Sequence, residues 1–161
     1  MTQETLDIIG RVHQILTKKG ISISVAESCT GGMLSHLLTL LPGSSAFFAA
    51  GFVVYSEEAK NRILGVSSDT LIRCGMVSAE TAIEMAERAR VLAGTDYSIA
   101  TTGNLGPDVL EGKERGLIYV AMSGKSGSIV QKFRLDGDRQ ANRKTACLRA
   151  LELFIEELEA V

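Results

Sequence analysis

Hydrophobic positions recur along this chain with two periods, one typical of α-helices and one typical of β-strands. Apolar residues at helical spacing predict a first helix that ends at Gly20, a helix over 79–92 and a last helix that follows Asp138. Shorter helices are predicted over 32–41, 57–64 and 69–74. Apolar and β-branched runs predict strands over 21–25, 47–55, 98–103, 117–122 and 128–135, and the run 47–55 has the composition of a buried strand.

The order of these elements predicts an α/β fold. Helices and strands alternate without an internal repeat or a flexible linker, and the turn at 124–127 joins the last two strands as a hairpin. The polar stretch 108–115 is expected to form a loop. We therefore expect one domain over 1–161, a layered sandwich in which helices flank a mixed β-sheet on both faces.

Composition and charge narrow the class of partner. The formal net charge is −2 and there is no run of lysine or arginine, so neither nucleic acid nor an anionic membrane surface is an expected partner. No stretch approaches the roughly 20 apolar residues of a membrane span, and the N-terminus lacks a signal-peptide pattern, so a cytoplasmic protein is expected. The three cysteines lie far apart and the acidic residues are scattered, so no disulfide, metal site or cofactor is predicted. The expected partner is a small molecule.

The segment 24–32 combines a strand end, hydroxyl side chains and two glycines before a helix. Ser28 and Thr30 follow the strand, and Gly31 and Gly32 precede the helix. A helix start presents free N–H groups and the positive end of the helix dipole, which favours an anion or a developing oxyanion. The pattern predicts a site at this junction, with Ser28 as a candidate nucleophile. The alternative is that both hydroxyls only cap the helix.

A second strand end supplies the groups that a serine nucleophile needs. Tyr55 and Lys60 come at the end of the apolar run 47–55 and just after it. Amide hydrolysis requires a nucleophile, a proton acceptor and oxyanion donors, and Ser28, Lys60 and the N–H groups around 30–32 fit these roles. A lysine base must be neutral, so burial or a cationic neighbour has to lower its pKa. Tyr55 is a candidate for relaying the proton or orienting the amine. Alternatively, Lys60 is a solvated charge and Tyr55 a half-buried core residue.

Histidine and cysteine offer no competing nucleophilic site in the sequence. His13 and His36 fall within predicted helices and are expected to be structural or exposed. Neither is therefore an expected catalytic base of a Ser-His-Asp triad. Cys29 directly follows Ser28 but has no evident histidine partner, and the role of a small buried residue is expected for it.

Several motifs, taken in order, resemble the CinA C-terminal domain family. They are Ala26-Glu27-Ser28-Cys29-Thr30-Gly31-Gly32, Pro42-Gly43-Ser44-Ser45, Tyr55-Ser56-Glu57-Glu58-Ala59-Lys60, Leu64-Gly65-Val66, Gly75-Met76-Val77-Ser78, and Gly137-Asp138-Arg139 with Arg143. Order and spacing match too, from about residue 21 onward. The resemblance implies a nicotinamide-nucleotide amidohydrolase, which converts nicotinamide mononucleotide to nicotinate mononucleotide and ammonia.

The remaining candidate residues lie in these motifs. Ser45 is an alternative nucleophile, although it and Ser44 also resemble the cap of the segment that follows. Arg139 and Arg143 lie four residues apart, so they are expected to share a helix face and either grip a phosphate or serve as ordinary surface arginines. Glu27 is expected to accept hydrogen bonds from ligand hydroxyls or to pair with a lysine. The expected substrate-binding set is Glu27, Thr30, Gly31, Gly32, Ser44, Thr102, Gly103, Arg139 and Arg143.

One segment departs from the family pattern. The family has Thr/Ser-Gly-Ile-Ala-Gly-Pro and then a glycine-rich stretch that ends in Lys-Pro-Val-Gly, whereas this chain has Thr102-Gly103-Asn104-Leu105-Gly106-Pro107 followed by 108–116. The loss of glycines is expected to bring side-chain bulk into the rim of the pocket. The alternative function is therefore a nucleotide-binding module of the same fold with impaired catalysis.

Two further expectations concern partners. An action on nucleic acid, which the family's name suggests, has no support in the charge pattern. The resemblance and the apolar runs favour a homo-oligomer.

Overall fold

The computed structural model describes residues 1–160, and along this part of the chain helices alternate with strands. The elements are α1 (Gln3–Lys19), β1 (Ile23–Glu27), α2 (Met33–Leu38), β2 (Phe48–Val53), α3 (Glu57–Ala59), α4 (Ser68–Cys74), α5 (Ala79–Ala93), β3 (Tyr97–Gly103), β4 (Leu117–Gly124), β5 (Gly127–Arg134) and α6 (Arg139–Glu159). A short 3₁₀ turn, Ser44–Ala46, precedes β2, and a π-helical turn, Lys60–Leu64, continues α3. None of the helices described is both long enough and apolar enough to cross a membrane.

The strands form one mixed sheet in the order β2-β1-β3-β4-β5. Strand β1 pairs in parallel with both β2 and β3, whereas the β3–β4 and β4–β5 pairs are antiparallel. Two reversals return β5 to the direction of β1, so β1, β2, β3 and β5 all end at one edge of the sheet, the carboxyl edge. The segments that follow these four strands therefore lie at the same edge.

Alternate residues of the strands face two different layers of helices, because successive side chains point to opposite faces of a sheet. Val25, Ile99 and Val120 belong to the core cluster that α1, α2 and α6 cover. The opposite face carries small residues, Ala26, Ala100 and Ala121, and it packs against the alanine-rich face of α5 formed by Ala82, Ala86 and Ala89. The predicted single-domain α/β fold, with helices on both faces of a mixed sheet, is confirmed.

The local signals for helix ends and for the hairpin are confirmed. Gly20 ends α1 in the left-handed conformation, with a φ of 62°. The side chains of Ser78 and Asp138 cap α5 and α6 by accepting hydrogen bonds from the backbone N–H groups of Thr81 and Ala141. Strands β4 and β5 form the predicted hairpin. These features depend on neighbours within a few residues, which the sequence contains.

Two predicted elements differ in extent or setting. The helix predicted over 32–41 ends at Leu38, where the Thr39 hydroxyl donates to the carbonyl oxygen of Ser35. The run 47–55 was expected to be a buried strand, but β2 is an edge strand whose residues alternate between half-buried and exposed. Val53 is 51% exposed because β2 has a neighbouring strand on one side only. An apolar run by itself does not distinguish a central strand from an edge strand.

Asp138→Ala is expected to lower the free energy of unfolding by about 1 kcal/mol, because the Ala141 N–H loses its acceptor at the start of α6. Asp136→Ala is the matched control, since Asp136 is exposed, lies in the same connection and does not cap α6. Denaturant unfolding of both variants measures the difference. Equal losses of stability in the two variants would contradict the capping role.

Candidate active site

Ser28 and Lys60 are in direct contact at the carboxyl edge. Ser28 directly follows β1, and Lys60 begins the π-helical turn after β2. Because β1 and β2 are parallel neighbours, the segments that follow them meet, and Lys60 Nζ lies 2.7 Å from Ser28 Oγ. The structure therefore brings together the nucleophile and base candidates from two separate motifs.

The Lys60 amine is buried, which excludes the interpretation of Lys60 as a solvated charge. The side chain is 0% exposed, and Nζ also donates to the carbonyl oxygens of Val54 at 2.9 Å and Tyr55 at 3.3 Å. Desolvation lowers the pKa of Lys60 to about 8, although Cys29, Glu111 and Glu57 act in the opposite direction. A neutral amine has two N–H groups and one lone pair. The two carbonyls can take both N–H groups, so the lone pair is left to accept the Ser28 proton.

Glu27 stabilises the start of α2, and its carboxylate is not available to a ligand. The side chain is 0% exposed. It accepts five hydrogen bonds, from the backbone N–H groups of Gly32, Leu34 and Ser35 and from the hydroxyls of Thr30 and Ser35. The expectation that Glu27 binds ligand hydroxyls or a lysine does not agree with these contacts. The free helix start that was expected to hold an anion is already occupied by this carboxylate.

Thr30, Gly31 and Gly32 shape the turn between Ser28 and α2. The Thr30 hydroxyl donates to Glu27 and lies 2.7 Å from the Thr101 hydroxyl. Gly31 and Gly32 have φ values of 57° and 100°, which glycine adopts without strain. Gly32 is the capping position of α2 and makes no side-chain cap, so neither Ser28 nor Thr30 is a simple helix cap.

Two backbone donors beside Ser28 have no backbone acceptor in the described part of the chain. The Gly31 N–H donates to the Ser28 carbonyl and the Gly32 N–H donates to Glu27. Within residues 1–160, the N–H groups of Cys29 and Thr30 have no backbone hydrogen-bond acceptor. The candidate oxyanion donors are therefore these two groups: Thr30 is one of the expected donors, Cys29 is not, and the N–H groups of Gly31 and Gly32 are already used.

Tyr55 orients the lysine through its backbone and not through its phenol. Its carbonyl oxygen accepts from Lys60 Nζ, whereas its hydroxyl accepts from Arg139 Nη2 at 2.8 Å. Arg139 Nη1 also donates to the Gly106 carbonyl at 2.9 Å. The phenol is 55% exposed, so Tyr55 is not a core residue, and its contact with Arg139 does not support the expected proton relay.

Ser44 and Ser45 lie at the other end of the sheet from the Ser28–Lys60 contact. They form the 3₁₀ turn before β2, whereas Ser28 follows β1, and β1 and β2 run in the same direction. The six residues of β2 therefore separate Ser45 from Lys60, a length of about 20 Å at the usual rise per residue. Within one chain, Ser45 cannot be the nucleophile that Lys60 activates.

Thr102 and Gly103 serve packing at the end of β3. The Thr102 hydroxyl is buried and donates to the Met76 carbonyl at 2.7 Å. Gly103 has no room for a β-carbon, because Ile118 and the carbonyl of Leu117 lie against it. In this conformation their contacts are with the protein, so direct substrate binding by either residue has no geometric support.

Arg139 and Arg143 have different surroundings and do not form a single clamp. Arg139 is held by Tyr55 and Gly106, as described above. Arg143 lines a cavity of about 610 Å³ between α1, α2 and α6, and His36 and Lys144 also line this cavity. The Arg143 Nε is buried and has no hydrogen-bond partner in the part of the chain that the structure describes.

The departing loop does not bring bulk into a pocket at its first two positions. Asn104 is buried, and its Oδ1 accepts from the Leu110 N–H at 3.0 Å, so its side chain braces the loop from within. Leu105 is 3% exposed and belongs to the core. The expectation of bulk from Asn104 and Leu105 at the pocket rim is therefore wrong. Loss of glycine does not by itself expose a side chain, because Asn104 and Leu105 both face inward.

His13 has a structural contact and His36 is exposed, which are the two roles expected for the histidines, and Cys29 is a small buried residue. His13 Nε2 lies 3.0 Å from the Leu38 carbonyl oxygen, and His36 is exposed. Burial raises the pKa of Cys29 to about 12, so its thiol stays protonated and is a poor nucleophile. Residues 1–160 contain no group of three or more His, Cys, Asp or Glu side chains placed to hold a metal ion.

Comparisons with known proteins show strong similarity over the whole fold. The family model described as the CinA C-terminal domain matches residues 6–158. The crystal structure of a CinA superfamily protein from Klebsiella pneumoniae has a TM-score of 0.95 and 33% identity, and the match covers 99% of this chain and 100% of that chain. The competence/damage inducible protein CihA from Agrobacterium tumefaciens has a TM-score of 0.87 and 36% identity, over 95% and 96% of the two chains.

Curated relatives are longer than this chain. A CinA-like protein from Geobacter sulfurreducens is 41% identical over 142 residues, which is 88% of this chain and 34% of that protein. A CinA-like protein from Shewanella sediminis is 44% identical over 145 residues, which is 89% of this chain and 33% of that protein. The chain thus spans about a third of the length of these relatives.

Glu27→Gln is expected to lower the free energy of unfolding by about 1–3 kcal/mol, because an amide nitrogen cannot accept hydrogen bonds and leaves a buried N–H of α2 without an acceptor. Glu80→Gln is the control, since Glu80 is an exposed glutamate in the first turn of α5. Denaturant unfolding is the measurement. A loss in Glu27→Gln no larger than in Glu80→Gln would overturn the role assigned to Glu27.

Proposed function

The chain belongs to the CinA C-terminal domain family, and we propose that it is an amidohydrolase that converts nicotinamide mononucleotide to nicotinate mononucleotide and ammonia. The resemblance of its motifs to the family suggests the substrate. The observation that carries the proposal is the 2.7 Å contact between Ser28 Oγ and a fully buried Lys60 amine. A hydroxyl paired with a lysine of lowered pKa is an arrangement that activates serine for attack on an amide.

The proposed reaction begins with neutral Lys60. Its lone pair accepts the Ser28 proton while Oγ attacks the carboxamide carbon. The negative charge that develops on the carboxamide oxygen is stabilised by the N–H groups of Cys29 and Thr30, which have no backbone acceptor among the described residues. Lys60, now an ammonium, returns the proton to the leaving nitrogen. The C–N bond breaks, ammonia leaves, and the acyl group remains on Ser28.

Water completes the cycle by the same proton path. Lys60 accepts a proton from the water that attacks the acyl carbon, and it returns this proton to Ser28 Oγ when the ester bond breaks. The products are the free carboxylic acid and the original hydroxyl. The carbonyls of Val54 and Tyr55 hold the amine in place through both steps, because each accepts one of its N–H groups.

The phosphate of the nucleotide is proposed to bind at the cavity that Arg143 lines. His36 and Lys144 line the same cavity, and no acidic side chain lines it. The N-terminal half of α6, a helix of 21 residues, borders the cavity, so its dipole also favours an anion there. The unpartnered Arg143 Nε is a donor that a phosphate oxygen would satisfy.

The alternative of a nucleotide-binding module with impaired catalysis is less well supported. It was suggested by the altered loop at 104–116, but Asn104 and Leu105 of this loop face inward. Ser28 and Lys60 are in contact, which catalysis by this pair requires.

We further propose that the protein acts on a small molecule in the cytoplasm and forms a homo-oligomer. The oligomer is supported by the open side of the edge strand β2, where Val53 is exposed. Unpaired strand edges are sites at which other chains pair.

Lys60→Met is expected to lower kcat for ammonia release from nicotinamide mononucleotide by about 10²–10⁴-fold, while substrate affinity changes little, because the base acts on the barrier. In the unmodified protein, kcat/KM should rise with pH to a plateau above about 8, since Lys60 can accept a proton only when it is neutral. Lys132→Met, at an exposed lysine of β5, is the control. The assay contains EDTA and no added metal. Unchanged kcat in Lys60→Met would refute the proposed base.

The two serine candidates are distinguished by the acyl intermediate, because only the nucleophile carries it. Intact-mass analysis after rapid quenching with nicotinamide mononucleotide should show an adduct in the unmodified protein and in Ser45→Ala. The adduct should be absent from Ser28→Ala. An adduct that persists in Ser28→Ala and disappears in Ser45→Ala would reverse the assignment.

A further inference from the structure

The segment 105–115, named here the strap, is attached by one carboxylate to the turn that follows α4. Glu111 Oε2 accepts from the Met76 N–H at 2.9 Å, and Glu111 Oε1 accepts from the Val77 N–H at 2.9 Å. Two successive backbone N–H groups thus bind one carboxylate. This arrangement is a small anion site that the chain fills with its own side chain.

The backbone on both sides of this contact is adapted to it. Gly75 allows the Glu111 carboxylate to lie directly against its Cα, because a β-carbon at Gly75 would overlap with that carboxylate. Glu111 itself has a φ of 60°, the one positive φ among the non-glycine residues from 1 to 160. A residue with a β-carbon adopts this conformation at an energetic cost, so the contact must compensate for it.

A lysine of the strap makes a second attachment to the same turn. Lys113 Nζ donates to the carbonyl oxygens of Cys74 at 2.8 Å and Val77 at 2.6 Å. It lies 3.7 Å from Glu111 Oε1. The Glu111 carboxylate accepts from N–H groups of the turn, and the Lys113 amine donates to its carbonyl oxygens. The two side chains therefore bind both the donors and the acceptors of the turn backbone.

The strap connects this turn to the Tyr55 side of the active site. At its other end, the Gly106 carbonyl accepts from Arg139, which also donates to the Tyr55 hydroxyl. The turn 75–77 is also bonded to β3, because the Thr102 hydroxyl donates to the Met76 carbonyl. The strap therefore runs from the turn 75–77 to the Arg139–Tyr55 pair, and the Tyr55 carbonyl contacts Lys60 Nζ.

We propose that Glu111 is a positioning residue of the active site, whose carboxylate holds the strap on the turn 75–77 and thereby fixes Arg139 and Tyr55 beside Lys60. Its effect on turnover rests on the proposed amidohydrolase function, whereas its effect on the strap and on Lys60 does not. The charge of Glu111 also acts on the amine. It raises the pKa of Lys60, together with Cys29 and Glu57, against the larger effect of burial.

The first test compares Glu111→Gln with Glu114→Gln. Both variants lose one carboxylate from the strap, but Glu111 accepts from the turn 75–77, whereas Glu114 pairs with Arg134. In Glu111→Gln, amide hydrogen exchange of Met76 and Val77, measured by NMR, is expected to become about tenfold faster because the local opening is easier. In Glu114→Gln it should not change. Unchanged exchange in Glu111→Gln would overturn the attachment.

The second test separates a positioning role from a merely structural one. The titration of the Lys60 amine, followed by NMR of its ε-carbon, should shift to lower pH in Glu111→Gln because a nearby negative charge is gone. Lys113→Met should also accelerate amide exchange in the turn, but it keeps the Glu111 charge and should not lower the Lys60 midpoint. Faster exchange in Glu111→Gln with an unchanged Lys60 midpoint would reduce Glu111 to a structural residue and overturn the proposal.

Steady-state kinetics then tests whether the attachment of the strap affects turnover. If the unmodified protein releases ammonia from nicotinamide mononucleotide, Glu111→Gln should lower kcat several fold on the high-pH plateau, because the groups around the Lys60 base are held less firmly, and Glu114→Gln should leave kcat unchanged. An unchanged kcat in Glu111→Gln would overturn the positioning role. Absence of ammonia release from the unmodified protein would contradict the proposed function alone, because exchange and titration are measured without substrate.

Discussion

Burial of the Lys60 amine is the constraint on which the geometry of the site depends. A charged amine removed from water requires oxygen acceptors around it, and here they are Ser28 Oγ and the carbonyls of Val54 and Tyr55. These atoms converge because β1 and β2 are parallel neighbours and because the π-helical turn starts at Lys60. A slip of β1 against β2 would move Ser28 away from the buried amine, whereas the Val54 and Tyr55 carbonyls belong to the same segment as Lys60 and would stay with it. The register of the sheet and the candidate chemistry therefore rest on the same contacts.

Glu27 is a second buried charged residue, and it lies on the opposite face of the sheet from Ser28, at the end of β1. Successive residues of a strand point to opposite faces, so Glu27 faces α2 while Ser28 faces Lys60. The Glu27 carboxylate is fully used by five donors from the turn and from α2. The carboxylate can stabilise the helix start without drawing the Lys60 amine away from Ser28. Two opposite charges can thus be buried next to one serine.

The loop that departs from the family pattern lacks the family's glycines, and from the sequence the side chains in their place are expected to obstruct a pocket. Asn104 instead braces the loop, and Glu111 and Lys113 bind the turn after α4, more than 30 residues earlier in the chain. No local pattern marks Glu111 as the partner of two backbone N–H groups. The carbonyls that hold Lys60 were also missed, because every residue has a carbonyl and the sequence does not distinguish them.

The sequence by itself determined the order of helices and strands, the caps at Gly20, Ser78 and Asp138, and the two strand ends that carry Ser28 and Lys60. These features depend on side-chain type and on neighbours within a few residues. Only the tertiary structure decided that β2 lies at the edge of the sheet and that Lys60 is buried against Ser28. It also placed Ser45 at the far end of the sheet and directed Glu27 to α2. The reason is physical: burial, strand order and the choice among hydrogen-bond partners depend on contacts between segments distant in sequence, and these exist only when the chain has folded.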